Sequence, residues 1–116
     1  MDDEISVEEV EGLLDDANRP RIVDIRSPGE FARGHIPGSE NVPFGELPDR
    51  IDELAGADHI VTVCPHGKAS VQAARLIGSY EGTKDARVES MAGGLEAWQG
   101  DFETATDDGE TPESPF

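Results

Sequence analysis

The chain has 116 residues, of which 35% are hydrophobic, and this length fits one compact domain. Its 26 Asp and Glu against 9 Lys and Arg give a net charge of −17. A field of that sign repels nucleic-acid phosphates and anionic lipid surfaces, so we expect neither as a partner. The N-terminus lacks the basic and apolar segments of a secretory signal, and no apolar run approaches the roughly 20 residues of a membrane-spanning helix. We therefore expect a cytoplasmic protein.

The distribution of acidic residues raises two further expectations. A high-salt cytoplasm is one hypothesis for the acidity, because at 1 M salt the Debye length shrinks to about 3 Å and self-repulsion is screened. Residues 101–116 (DFETATDDGETPESPF) contain six acids and no base, a composition that cannot offset the entropy of ordering. The sequence thus predicts a folded domain over 1–100 and an acidic, disordered tail over 101–116.

Helices and strands are predicted to alternate along the chain. Ser6 followed by Glu9 is a capping box, and Ser27 with Glu30 indicates a second helix start with proline at its first position. Elsewhere, apolar residues three and four apart predict helices, and short β-branched runs predict strands. In chain order these are a helix over 7–17, a strand over 21–25, a short helix from 28, a brief strand over 40–42, a helix over 46–55, a strand over 59–63, a helix over 69–80, a strand over 86–91 and a short helix over 95–98.

This alternation indicates the fold class. Nearly continuous apolar strands with a helix after each are typical of a parallel sheet covered on both faces. We therefore expect an α/β protein built as a three-layer α/β/α sandwich.

The chain's one cysteine, Cys64, directly follows the clearest strand, and a helix begins a few residues later. Ligands of open α/β sheets bind beyond the carboxyl ends of the strands, where helix N-termini present free amides. Such a position stabilises a thiolate, which is the nucleophilic form of cysteine. In the loop, Gly67 allows a tight turn, Lys68 adds a cation, and His66 and Ser70 are potential hydrogen-bond donors to a bound anion or sulfur.

Other interpretations of Cys64 are weaker or less specific. A free cysteine is often a small apolar residue at the end of a buried strand. One cysteine forms no internal disulfide, and the spacing of Cys64 with the three histidines matches no metal site, so neither metal nor cofactor is expected. His59 is expected to have no functional role, and Trp98 is expected in the core.

Several separated motifs, in the right order, resemble the rhodanese family. They cover about residues 5–100 and consist of 24–31 (DIRSPGEF), 34–39 (GHIPGS), 41–43 (NVP), the Cys64 loop, Gly93-Gly94 and Trp98. The resemblance implies a five-stranded parallel sheet and a cysteine that carries sulfane sulfur as a persulfide. It also implies transfer from thiosulfate or a protein persulfide to a nucleophilic acceptor, which is covalent catalysis in two displacements.

The resemblance assigns the active-site loop to residues 64–70. Cys64 would be catalytic, and the substrate would be bound by Pro65, His66, Gly67, Lys68, Ala69 and Ser70. Many family members carry arginine where this chain has Ala69, and Lys68 supplies a charge without the bidentate fork of arginine. Outside the loop we expect supporting roles for Asp24 and Arg26 as an ion pair or brace, and for His35 as a holder of the 34–38 turn.

The sequence also bears on functions other than sulfur transfer by this chain alone. A phosphatase of similar fold needs arginine after five intervening residues, but that position is Ser70. A dithiol oxidoreductase needs a second cysteine where Gly67 stands. The main alternative is a rhodanese-like binding or regulatory module without turnover, although such modules typically lack the cysteine. A protein-to-protein sulfur carrier system overlaps with the first interpretation, and the sequence does not define the acceptor or the oligomeric state.

Overall fold

Five parallel strands form one sheet in the computed structural model, which describes residues 3–104. The spatial order is β1-β5-β4-β2-β3, so β4 is central and is paired with β2 and β5. This arrangement confirms the parallel α/β sheet that the sequence predicted. The strands are β1 (Glu4–Ile5), β2 (Arg21–Asp24), β3 (Glu40–Asn41), β4 (His59–Val63) and β5 (Arg87–Met91).

Helices connect the strands, and the two predicted capping boxes both form. The Glu9 amide donates to Ser6 Oγ at 3.1 Å, and the Glu30 amide donates to Ser27 Oγ at 3.3 Å. Each box satisfies backbone donors that the first turn leaves unpaired. The helices are α1 (Val7–Leu13), α2 (Pro28–Arg33), α3 (Leu47–Arg50) and α4 (Ala69–Gly78), with 3₁₀ turns over Phe44–Glu46, Ile51–Leu54, Glu81–Thr83 and Leu95–Ala97.

Two apolar clusters cover the two faces of the sheet. The neighbours Ile60 and Val61 of β4 belong to different clusters, because successive side chains of a strand point to opposite faces. One cluster contains Val61, Val63 and Trp98, the last in the core as predicted. The other contains Ile60, Cys64 and the inner side of α4. The central strand therefore ends at the cysteine with apolar packing on both sides.

Two predicted helices differ from those observed, and one observed strand was not predicted. The helix predicted over 7–17 ends at Leu13, because the Asp16 carboxylate accepts from the Asn18 amide at 2.8 Å and favours a turn. The helix predicted over 46–55 is divided among three short pieces, and the break between the last two falls at Arg50, whose φ of −116° and ψ of 5° are not helical. Strand β1 was not predicted, because two residues are too short to show a period.

The last described residues, 101–104, contact the domain. The Trp98 indole donates to the Asp101 carbonyl at 3.1 Å, and His35 and Glu103 exchange two backbone hydrogen bonds. The rest of the predicted tail, 105–116, lies outside the described residues, so the domain boundary at residue 100 stays a prediction. Within residues 3–104, no helix is long and apolar enough to cross a bilayer.

Candidate active site

The fold places Cys64 at the carboxyl edge of the central strand. β4 ends at Val63, and α4 begins at Ala69 with Lys68 as its N-terminal cap residue. The intervening loop therefore lies between a strand end and a helix start, as the sequence predicted. This is the edge at which open α/β sheets bind their ligands.

The Cys64 sulfur lies in a cup of backbone amides. Sγ accepts hydrogen bonds from the Gly67 amide at 3.0 Å and from the Ser70 amide at 3.3 Å. The Ser70 hydroxyl is also 3.3 Å from Sγ. Cys64 is only 2% exposed, but its sulfur points to these donors rather than only to apolar neighbours. The geometry therefore differs from that of a cysteine that merely fills core space.

The same surroundings decide the pKa of the thiol. Burial raises the pKa of Cys64, but hydrogen bonds from the Ser70 side chain and from the amides of Ser70, His66 and Gly67 lower it. The hydrogen bonds outweigh burial, and the net pKa lies below the ordinary value. The loop thus favours the thiolate, which is the form that attacks sulfur or carbon electrophiles.

Ser70 is itself fixed by two buried hydroxyl residues that sequence analysis missed. Ser70 Oγ is 2.7 Å from Ser90 Oγ, which lies on β5. Thr62, on β4, donates from Oγ1 to the Ser70 carbonyl at 2.7 Å. All three residues are fully buried. The available signal was weak, because Thr62 interrupts a mostly apolar strand but Ser90 lies in a strand that also contains Arg87 and Glu89.

Two glycines hold the base of the loop. Gly67 has φ +82° and Gly94 has φ +67°, a backbone region that favours glycine. A Cβ on Gly94 would lie 2.5 Å from the Cys64 carbonyl oxygen and the Gly67 nitrogen. The Leu95 amide donates to that Cys64 carbonyl at 2.9 Å. The turn after β5, which contains the Gly93-Gly94 motif, therefore packs directly against the cysteine loop.

Asp24 and Arg26 form a bidentate ion pair at the end of β2. Arg26 donates from Nη2 and Nε to the Asp24 carboxylate at 2.7 and 3.1 Å, and Nη2 also donates to the Gly34 carbonyl. Asp24 is fully buried, and the Arg26 side chain is 13% exposed. This arrangement braces the 24–34 loop beside the site, and neither residue contacts the sulfur.

His35 and the loop residues His66 and Lys68 lie apart from the sulfur. His35 stacks on Phe31 and bonds its carbonyl through Nδ1 at 2.8 Å. The exposed His66 ring is 3.4 Å from Glu96. The Lys68 side chain is exposed and contacts no acid among residues 3–104. Of the predicted loop residues, the structure thus brings the backbones of His66 and Gly67, and both the backbone and side chain of Ser70, to the Cys64 sulfur.

The three histidines are not gathered around the cysteine. His59 is 2.7 Å from Glu89, while His35 is 3.8 Å from Glu103. No cluster of three or more metal-binding side chains occurs in the part of the chain that the structure describes.

These features describe a protein whose one cysteine, with a lowered thiol pKa, is held in an amide cup at the edge of a parallel α/β sheet. A family model for the Rhodanese-like domain matches residues 6–101. The chain therefore belongs to the rhodanese-like domain family, as its motifs predicted.

Two relatives carry names that refer to sulfur. The chain is 38% identical over 106 residues to the thiosulfate sulfurtransferase GlpE of Pseudomonas aeruginosa, covering 91% of this chain and 92% of that protein. It is 34% identical over 100 residues to the putative sulfur carrier protein YrkF of Bacillus subtilis, covering 86% of this chain but only 52% of that protein.

Solved structures share the fold. The protein SSP1007 of Staphylococcus saprophyticus superposes with a TM-score of 0.69 at 27% identity, covering 84% of this chain and 93% of that one. The thiosulfate sulfurtransferase structure from Pseudomonas aeruginosa superposes with a TM-score of 0.78 at 21% identity, covering 97% of this chain and 21% of that one, and shows the fold alone.

Proposed function

We propose that the protein is a sulfurtransferase that carries sulfane sulfur on Cys64, taken from thiosulfate or a persulfide donor. The observation that carries this proposal is the Cys64 sulfur accepting from the Gly67 and Ser70 amides. Backbone amides aimed at one point stabilise negative charge there without reorganising. A persulfide anion is the species that such a loop fits.

The reaction has two displacements. The Cys64 thiolate attacks the outer sulfur of thiosulfate, the sulfur–sulfur bond breaks, and sulfite leaves with the bond electrons. Cys64 then holds a persulfide, whose outer sulfur is attacked by a thiophilic acceptor, and the Cys64 thiolate is regenerated. Gly67 and Ser70 steady the negative sulfur, while Lys68 supplies a cation at the mouth of the loop.

In this proposal, the remaining predicted residues shape the loop and hold the turns beside it. Pro65, His66 and Ala69 complete the loop that surrounds the donor, and Asp24, Arg26 and His35 hold the neighbouring turns. The relatives' names favour a small sulfur donor or a sulfur-carrier protein as the partner. The proposal includes neither a nucleic acid nor a membrane partner and needs no cofactor.

Intact-mass spectrometry after incubation with thiosulfate, and separately with an organic persulfide donor, tests the proposal. We expect one added sulfur on the wild type, removable by reductant, and none on Cys64→Ser. The absence of an adduct with every donor, while Cys64 still reacts with a small alkylating agent, would favour a rhodanese-like binding module instead.

A further inference from the structure

A pocket lies beside the cysteine loop, and the reaction proposed above does not use it. A pocket of about 360 Å³ opens on the side of α2, a volume within the range of small-molecule sites. Its lining residues come from the β2–α2 region, the turn after β5 and the end of the described chain: Arg26, Glu30, Arg33, Gly34, Leu95 and Phe102. The Leu95 amide binds the Cys64 carbonyl, so the pocket adjoins the loop.

The pocket contains unused positive charge in a strongly acidic protein. Of the nine Lys and Arg residues, all within the described range, only Arg33 and Lys68 make no hydrogen bond or ion pair through their side chains. Arg33 lines the pocket, and Lys68 lies in the loop. The one acid of the lining, Glu30, is bonded back to Ser27 and does not pair with Arg33. An anionic group entering the pocket would therefore meet a free guanidinium.

Two residues of the pocket lining, Leu95 and Phe102, are large and apolar. Phe102 is 49% exposed and is the one large hydrophobic residue exposed among residues 3–104. Its ring packs near Gly34, where an added Cβ would lie 3.8 Å from the nearest ring atoms. The next residue is fixed by paired backbone bonds with His35, at 2.9 and 2.8 Å. The exposed ring is thus held in place, and it forms an apolar wall with Leu95.

We infer that this pocket binds the sulfur acceptor, and that the acceptor is an aliphatic thiol bearing a carboxylate. The inference rests on the proposed function. The alkyl chain would lie on Leu95 and Phe102, and the carboxylate would bind Arg33. Thiosulfate has no apolar part to use this wall, so the pocket fits the second substrate better than the first.

The transfer step balances without any further reagent. The thiolate of the acceptor attacks the outer sulfur of the Cys64 persulfide and forms a new sulfur–sulfur bond. The bond from that sulfur to Cys64 breaks, and Cys64 leaves as the thiolate. The acceptor departs as its own persulfide, with the carboxylate unchanged throughout.

The test follows discharge of persulfide-loaded protein by intact mass, with mercaptohexanoate and its neutral counterpart mercaptohexanol as acceptors. Arg33→Gln should slow discharge to mercaptohexanoate by about tenfold, as for loss of a charged hydrogen bond, and leave mercaptohexanol unchanged. Lys84→Gln is the matched control, because it also removes one positive charge. Lys84 lies before the amino end of β5, whereas the pocket lies near the carboxyl ends of the strands. Equal effects of the two variants on mercaptohexanoate would overturn the inference.

Phe102→Ala tests the apolar wall separately. It should slow both six-carbon thiols by several-fold but leave the short mercaptopropionate nearly unchanged, since only the longer chain reaches the ring. A uniform loss with all three thiols would count against the wall and point to general damage to the loop.

A binding measurement without sulfur chemistry keeps this inference separate from the proposed function. Hexanoate, titrated into ¹⁵N-labelled protein, should shift the amide resonances of Gly34, Leu95 and Phe102, and Arg33→Gln should abolish the shifts. Hexanol should shift them less. If loading of Cys64 fails but hexanoate binds, the sulfurtransferase is wrong and the pocket stands; if hexanoate leaves these amides unmoved, the pocket assignment is wrong.

Discussion

Ser70 Oγ and Ser90 Oγ lie 2.7 Å apart in the fully buried interior, directly behind the Cys64 sulfur. Since Ser70 Oγ is 3.3 Å from Sγ, the two hydroxyls form a short relay that ends at the thiol. When Cys64 is a thiolate, Ser70 donates to the sulfur and Ser90 donates to Ser70. The relay extends the amide cup into the sheet and links β5 to the reactivity of the cysteine that follows β4.

Removing either hydroxyl should raise the pKa of Cys64. Because the hydrogen bond from the Ser70 side chain is one of the causes that lower this pKa, Ser70→Ala should raise it. Ser90→Ala should give a smaller rise. In either variant the thiolate is lost at a higher pH as the solution is acidified, so reactivity near neutral pH falls.

Ultraviolet absorbance of the thiolate against pH, with Cys64→Ser as the blank, measures this effect. Ser79→Ala is the matched control, because that hydroxyl is exposed at the end of α4. A Cys64 titration that is the same in Ser70→Ala as in the wild type would show that the amides alone set the pKa.

Gly94→Ala should destabilise the fold and open the loop. The residue has φ +67°, and the new methyl carbon would overlap the Cys64 carbonyl oxygen at 2.5 Å. Backbone strain of about 1–2 kcal/mol and overpacking of about 1–3 kcal/mol both act against the variant. We expect a loss of at least about 2 kcal/mol in the free energy of unfolding, measured by urea denaturation.

Gly12→Ala is the control with the opposite sign. Gly12 lies inside α1 with open space around it, so alanine should stabilise the helix by about 0.5–1 kcal/mol. If both variants changed stability in the same direction, the contact between the Gly94 turn and the cysteine loop would not be the cause.

Asp24→Asn should cost stability without changing the chemistry of Cys64. Asp24 is fully buried and the Arg26 side chain is 13% exposed, so the substitution leaves a largely buried guanidinium without its counter-charge. Breaking such a pair costs about 3–5 kcal/mol. The exposed pair of Arg21 and Glu40 gives the comparison, since Glu40→Gln should cost less than about 1 kcal/mol.

Thermal unfolding and the thiolate titration, measured on the same samples, distinguish a structural role of Asp24 from a catalytic one. We expect Asp24→Asn to unfold at a lower temperature while the Cys64 pKa in the folded protein stays unchanged. A shifted titration with normal stability would instead place Asp24 in the electrostatics of the sulfur.

Sequence patterns predicted most of the fold, because β4 and α4 are long enough to show their periods and the capping boxes are local. They did not predict β1, whose two residues carry no period and are fixed by pairing with β5. The position of Cys64 was predictable from the strand that precedes it. Ser90 was not, because its contact with Ser70 spans 20 residues of sequence and depends on how β5 is placed against α4.

The contribution of Phe102 to the pocket could not be predicted from the sequence for a related reason. Residue 102 falls in a segment whose composition is typical of disorder. The backbone pairing of Glu103 with His35 is what brings Phe102 beside α2, and such pairing leaves no pattern in the chain.

Loading of Cys64 by thiosulfate should accelerate as salt is added. The chain carries a net charge of −17, so a dianion approaches against a repulsive field that salt screens. Between about 0.05 and 1 M KCl the Debye length falls to about 3 Å, which leaves mainly the local charge of Lys68 in effect. We expect at least about a threefold rise in the loading rate, because association rates governed by long-range charge depend steeply on ionic strength.

A neutral persulfide donor provides the control for the same salt series. Its loading rate should stay nearly constant, because an uncharged donor does not sense the acidic surface. Circular dichroism at each salt concentration checks that the fold is unchanged. A thiosulfate rate that is flat or falls with salt, while the fold stays intact, would mean that the cations near the loop already overcome the field of the acidic surface.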